Sequence, residues 1–175
     1  MKIYRSLSEL PPDLGPTVAT IGNFDGVHRG HQWVIAEVIA RAQALSHYSP
    51  SQSERRSVIL SEVSRSASSR ETESKDLWLG AADQPKVTSL AITLDPHPAR
   101  VLGKQTNLTL ITPLEEKLDL LAATGIDAAL ILPFDLALSH LTAREFAANI
   151  LRDAARVIEV HEGENFRFGH HAEAG

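Results

Sequence analysis

The sequence holds no cysteine, one methionine, two tryptophans and two tyrosines among 175 residues. Without cysteine there is no disulfide and no thiolate metal site, which fits a cytoplasmic protein. No apolar run approaches the roughly 20 residues of a membrane span. The opening Met1-Lys2-Ile3-Tyr4-Arg5-Ser6 lacks the apolar core of a secretory signal. There is no basic block either. The net charge of −5 argues against a nucleic-acid surface, while a small phosphorylated ligand needs only a local field. What is present, 43% hydrophobic and 22% charged residues, is the composition of a globular domain long enough for a core.

One stretch organises the rest: Thr20-Ile21-Gly22-Asn23-Phe24-Asp25-Gly26-Val27-His28-Arg29-Gly30-His31. Thr17 to Ile21 is β-prone, and Val34, Ile35, Val38, Ile39, Ala42 and Leu45 recur at helical spacing. The stretch therefore reads as strand, turn and helix start. Free N–H groups and the partial positive charge of a helix N-terminus make a seat for phosphate, and His28 and His31 add donors there.

Three further strands are expected. Val87 to Leu94 is β-rich and stops at Asp95-Pro96-His97-Pro98, where two prolines forbid continuation. Ala128 to Leu132 is a continuous apolar run, as in a buried parallel strand, followed by Pro133-Phe134-Asp135. Arg156 to Val160 leads into Gly163-Glu164-Asn165-Phe166-Arg167-Phe168-Gly169. Between them lie two helix starts: Thr112-Pro113-Leu114-Glu115, with Thr112 as cap, and Thr142-Ala143-Arg144-Glu145, which repeats the capping-box spacing. Residues 1–16, with Pro11, Pro12 and Pro16, read as a loop into the first strand. Eleven serines between Ser46 and Ser74 mark residues 47–86 as a low-complexity insertion. The order β-α-(insert)-β-α-β-α-β predicts an α/β fold: a Rossmann-like parallel sheet with helices on both faces. Four strand ends (22–31, 95–98, 133–135 and 163–169) then share the ligand-binding edge.

The stretch Gly-Asn-Phe-Asp-Gly-Val-His-Arg-Gly-His resembles the signature of the HxGH nucleotidylyltransferases. More closely, it is similar to the N-terminal FMN adenylyltransferase module of bacterial bifunctional riboflavin kinase/FAD synthetases. Leu-Asp-Pro-His-Pro, Leu-Pro-Phe-Asp and Gly-Glu-Asn-Phe-Arg-Phe-Gly extend the resemblance to Gly169. The family continues with a further strand, an arginine-terminated Ser/Thr-rich motif and a riboflavin kinase module. None of these occurs before Gly175, so the expectation is a partial domain, incomplete at its C-terminal end, with weak FAD synthesis or none.

The resemblance implies adenylyl transfer from ATP to FMN, giving FAD and pyrophosphate. It implies His28 and His31 as catalytic residues, and Gly22, Asn23, Phe24, Asp25 and Gly30 at the ATP site. For FMN it implies Pro96, His97, Pro98, Phe134, Asp135, Asn165 and Phe166. Magnesium would arrive with ATP, and no protein metal site is expected; His161, His170 and His171 need no ligand. Two alternatives stay open: another phosphate acceptor, or a nucleotide- or flavin-binding fragment without turnover.

Overall fold

The structure is a computed structural model, and it describes residues 1–47, 86–103, 108–163 and 166–169. Among the described residues, five strands form one sheet in the order β1-β4-β3-β2-β5: β1 (Lys2–Tyr4), β2 (Thr17–Gly22), β3 (Thr88–Asp95), β4 (Ala128–Pro133) and β5 (Val157–Val160). Every pairing is parallel. The long helix α1 (Arg29–Ser46) joins β2 toward β3. Two one-turn helices, α2 (Pro98–Val101) and α4 (Leu136–Ser139), follow β3 and β4, and α3 (Leu114–Ala123) precedes β4. The last helix, α5, opens with an α turn (Ala143–Glu145) and continues as a π-helix (Phe146–Ala154).

Alternation along the strands explains the layers. Val18, Ala91, Ala129 and Ile131 face one core cluster, with Ile35 and Val38 of α1 and Leu118 and Leu121 of α3. Ala19, Leu90, Ile92, Leu130 and Leu132 face the other, with Phe146, Ile150 and Leu151 of α5. A strand's side chains alternate between faces, so a sheet covered on both sides needs strands apolar at every position. The burial of β2, β3 and β4 meets that need. The expected parallel sheet with helices on both faces is therefore present.

Two details differ from the sequence expectation. The segment 1–16 is not all loop: β1 pairs with β4 in register Ile3↔Ala129. Three residues are too few to show alternation, so the strand had no local signal. Thr112 does not cap α3, whose N-cap is Pro113 with no side-chain hydrogen bond. Its hydroxyl is engaged by Gly26 and Asp25 instead. The second capping box is as expected, with Thr142 and Glu145 bonded reciprocally.

The serine-rich insertion expected at 47–86 lies, apart from its two end residues, outside the described residues. Its stems are described. Ser46 Oγ donates to the Ala42 carbonyl (2.8 Å) and accepts the Val87 N–H (3.0 Å). This junction lies where α1 ends and β3 begins, at the sheet edge opposite the strand C-termini.

Candidate active site

At the C-terminal end of β2 the backbone leaves the sheet through a tight turn. Phe24 (φ 47°) and Val27 (φ 39°) both lie in the left-handed region. That region is uncommon for non-glycine residues and an outlier for a β-branched one, and each instance costs about 1–3 kcal/mol. Four hydrogen bonds and one buried ring hold the turn. The Asp25 carboxylate accepts the N–H groups of Ile111 (3.0 Å) and Thr112 (2.9 Å). Thr112 Oγ1 accepts the Gly26 N–H (3.1 Å) and donates to Asp25. The Phe24 ring is buried in the core at 2% exposure. Burial pushes the Asp25 carboxyl up, but the Ile111 and Thr112 N–H groups, the Thr112 hydroxyl and the Lys117 charge outweigh it, so its pKa falls below the ordinary value.

The turn delivers two histidines to the start of α1. His28 is the N-cap, and its Nδ1 accepts the His31 N–H at 3.4 Å. The two rings stack with centroids 3.7 Å apart and planes 19° apart. Phe24 meets His31 edge-on at 5.2 Å. A Cβ on Gly30 would sit 3.2 Å from His28 Cε1 and 3.3 Å from its Nδ1, so the glycine makes room for the stack. Burial, and then the adjacent His28, lower the His31 pKa, with Asp25 opposing. Among the described residues, His31 Nδ1 and Asn23 Oδ1 are buried without a hydrogen-bond partner. A buried polar atom left unpaired costs free energy.

Beside this turn opens a cavity of about 650 Å³. Gly22 of β2 with Asn23 just after it, Leu94 of β3 and Pro98 at the start of α2, Phe134 just after β4, and Phe166 with Phe168 from the loop after β5 contribute to its wall. Phe166 and Phe168 stack at 5.8 Å, and Phe168 packs on Phe146 at 5.8 Å. The cavity is thus largely apolar and aromatic, within the size range of cofactor sites. It lies outside the carboxyl ends of the strands, where open α/β sheets bind ligands.

Of the residues expected at the site, Gly22, Asn23, Pro98, Phe134 and Phe166 line this cavity. His28, His31, Gly30, Phe24 and Asp25 belong to the adjoining turn, Phe24 and Asp25 with side chains turned to core and clamp. Pro96, His97 and Asp135 stand outside the cavity wall, on the same sheet edge. His97 Nδ1 accepts the Ala99 N–H (3.1 Å), and burial followed by the Lys117 charge lowers its pKa. Asp135 caps α4 by accepting the Leu138 N–H (2.7 Å). Asn165 lies outside the described residues. Sequence reasoning missed Arg167 at the cavity wall and Lys117 beneath the turn. The one signal for Lys117 was its place beside Leu118 and four residues before Leu121, on a stripe otherwise apolar.

A parallel sheet whose strand ends gather a histidine-bearing helix start and an apolar cavity defines an α/β protein with a candidate ligand site at the carboxyl edge of its sheet. The particular family follows from comparison: the sequence profile of the FAD synthetase family matches residues 10–50 and 77–175, and the chain belongs to that family. It is 30% identical over 173 residues to the bifunctional riboflavin kinase/FMN adenylyltransferase of Pseudomonas fluorescens, covering 97% of this chain and 41% of that protein. The Escherichia coli protein of the same description is 33% identical over 171 residues, covering 97% and 42%. The chain thus spans about two fifths of the length of these relatives. A Streptococcus pneumoniae crystal structure described as a macrolide-efflux protein shares the fold, with a TM-score of 0.64 and 17% identity over 98% of this chain and 43% of that one.

Proposed function

We propose that this chain carries the adenylyl-transfer site of FAD synthesis, joining FMN to the AMP portion of ATP and releasing pyrophosphate. The observation that carries the proposal is the stacked His28–His31 pair at the N-terminus of α1, with a buried, unpartnered ring nitrogen beside an aromatic cavity. In this reading an FMN phosphate oxygen attacks the α-phosphorus of ATP in line, the new P–O bond forms, and the bond to pyrophosphate breaks. The protein's part is to place two anions together and stabilise the charge of the transition state. His28 and His31 donate to phosphate oxygens, helped by the first N–H groups of α1. Gly22, Asn23 and Asp25 shape the nucleotide side, with Asp25 acting through its clamp on segment 111–112.

The cavity takes the isoalloxazine ring between Phe134, Pro98 and Phe166. Magnesium belongs to the ATP substrate, where it keeps most of its waters. His97 and Asp135 brace the turns that carry Pro98 and Phe134. The reaction is a cytoplasmic one in this reading and requires neither nucleic acid nor membrane. Incubating the chain at substrate-level concentration with FMN and magnesium–ATP, then separating flavins by chromatography, tests the proposal. Any FAD formed is expected with an equal amount of pyrophosphate. Unaltered FMN alongside a different adenylylated phosphate would assign another acceptor, and ADP with phosphate would overturn adenylyl transfer.

A further inference from the structure

We propose that Lys117 is a positioning residue that locks the strained turn from Asn23 to Val27, and with it the histidine pair, through the hydroxyl of Thr93. Lys117 is 4% exposed on the buried face of α3, next to Leu118. A lysine so deeply buried is rare unless something at its end repays desolvation. Its Nζ donates to Thr93 Oγ1 at 3.4 Å, and Thr93 Oγ1 donates to the Asn23 carbonyl at 3.4 Å. The direction of this relay follows from chemistry. An ammonium has three protons and no acceptor, so the hydroxyl must accept from it, and its single proton is left for Asn23.

The Asn23 carbonyl belongs to the peptide that precedes Phe24, the first left-handed residue of the turn. Fixing that peptide fixes the Phe24 ring, which lies edge-on to His31. The Asp25 clamp grips the same turn from Thr112, five residues before Lys117. The segment that opens α3 therefore holds the turn at both its beginning and its middle. Burial lowers the Lys117 pKa below the ordinary lysine value, and the charges of Asp95 and then Asp25 oppose that shift.

Two variants test this: Lys117→Met, which keeps the volume and removes the charge, and Thr93→Val, which keeps the lysine and breaks the relay. Thermal unfolding, the NMR contact between Phe24 and His31, and single-turnover FAD formation are read on each. Lys117→Met is expected to keep or raise Tm, because replacing a poorly compensated buried charge by an apolar side chain is often neutral or stabilising. The Phe24–His31 contact is expected to weaken. Turnover, whose use here rests on the proposed adenylyl transfer, should fall about 10²-fold with little change in KM for ATP, as misplaced groups cost rate more than binding. Thr93→Val should act in the same direction, and the double variant should be no worse than Lys117→Met.

An unchanged ring contact and turnover in Lys117→Met would overturn the proposal. So would a Lys117→Met chain that fails to fold while Thr93→Val keeps wild-type contact and rate. If the unmodified chain makes no FAD, the functional reading fails, and the ring contact and Tm still decide the role of Lys117.

Discussion

The imidazole of His28 lies flat against that of His31, centroids 3.7 Å apart, and accepts the backbone N–H of the same residue. Burial and this neighbour hold His31 below the ordinary histidine range. A phosphate at the helix start would reverse that balance, since a nearby anion favours imidazolium. The expected outcome is that saturating ATP raises the His31 pKa, read by NMR titration of its ring proton. Because the bound form then holds the extra proton, ATP affinity should weaken as pH rises through the pKa of the bound state. A His31 titration unmoved by ATP would place the nucleotide elsewhere.

Gly30 separates stability from function. It sits in the first turn of α1, where alanine is the better helix former by up to about 1 kcal/mol. Yet the added Cβ would crowd the His28 ring at 3.2 Å. Gly30→Ala is therefore expected to leave Tm unchanged or higher while weakening ATP binding. Calorimetry and thermal unfolding check the two signs.

Glu162 offers a pH test of stability. Burial pushes its carboxyl up to about 8, against the opposing hydrogen bond from the Ile21 N–H. The folded state then holds a proton that the unfolded state releases near pH 4.5, so stability falls as pH rises from there through about 8. Glu162→Gln keeps an acceptor for Ile21 and removes the titration. It should flatten the pH dependence of Tm between about pH 5 and 8 and raise Tm at the alkaline end. An unchanged profile would show that Glu162 is not the group responsible.

The Ser46–Val87 hydrogen bond closes the stems of the serine-rich segment at the edge remote from the strand C-termini. Loop-closure entropy grows only with the logarithm of length. Replacing residues 51–82 by a short Gly/Ser linker should leave ATP and FMN affinity within about twofold, as titration calorimetry would show. Loss of either affinity would tie the segment to the site.

The parts of this architecture with local signals were readable in the sequence. Valine, isoleucine and leucine at helical spacing after His31 announce α1, and Thr142 with Glu145 announces α5. What escaped depends on distant partners. Thr112 looks like a cap until Asp25, 87 residues earlier, takes its N–H. Lys117 looks like a solvated lysine until the sheet places Thr93 above it. β1 is recognisable only because β4 lies beside it. The cavity joins residues from four strand ends, whose shared edge followed from the alternation of strands and helices, while the particular side chains that form its wall depend on packing between distant segments.

The central claim is that the histidine pair carries adenylyl transfer. The most direct measurement is a single-turnover reaction with ATP labelled at the α-phosphorus, FMN and magnesium, comparing the chain with His28→Ala and His31→Ala. Label should enter FAD, and each variant should slow that step by roughly 10²–10³, with a smaller change in ATP affinity. Label entering FAD at the same rate in both variants would contradict the account.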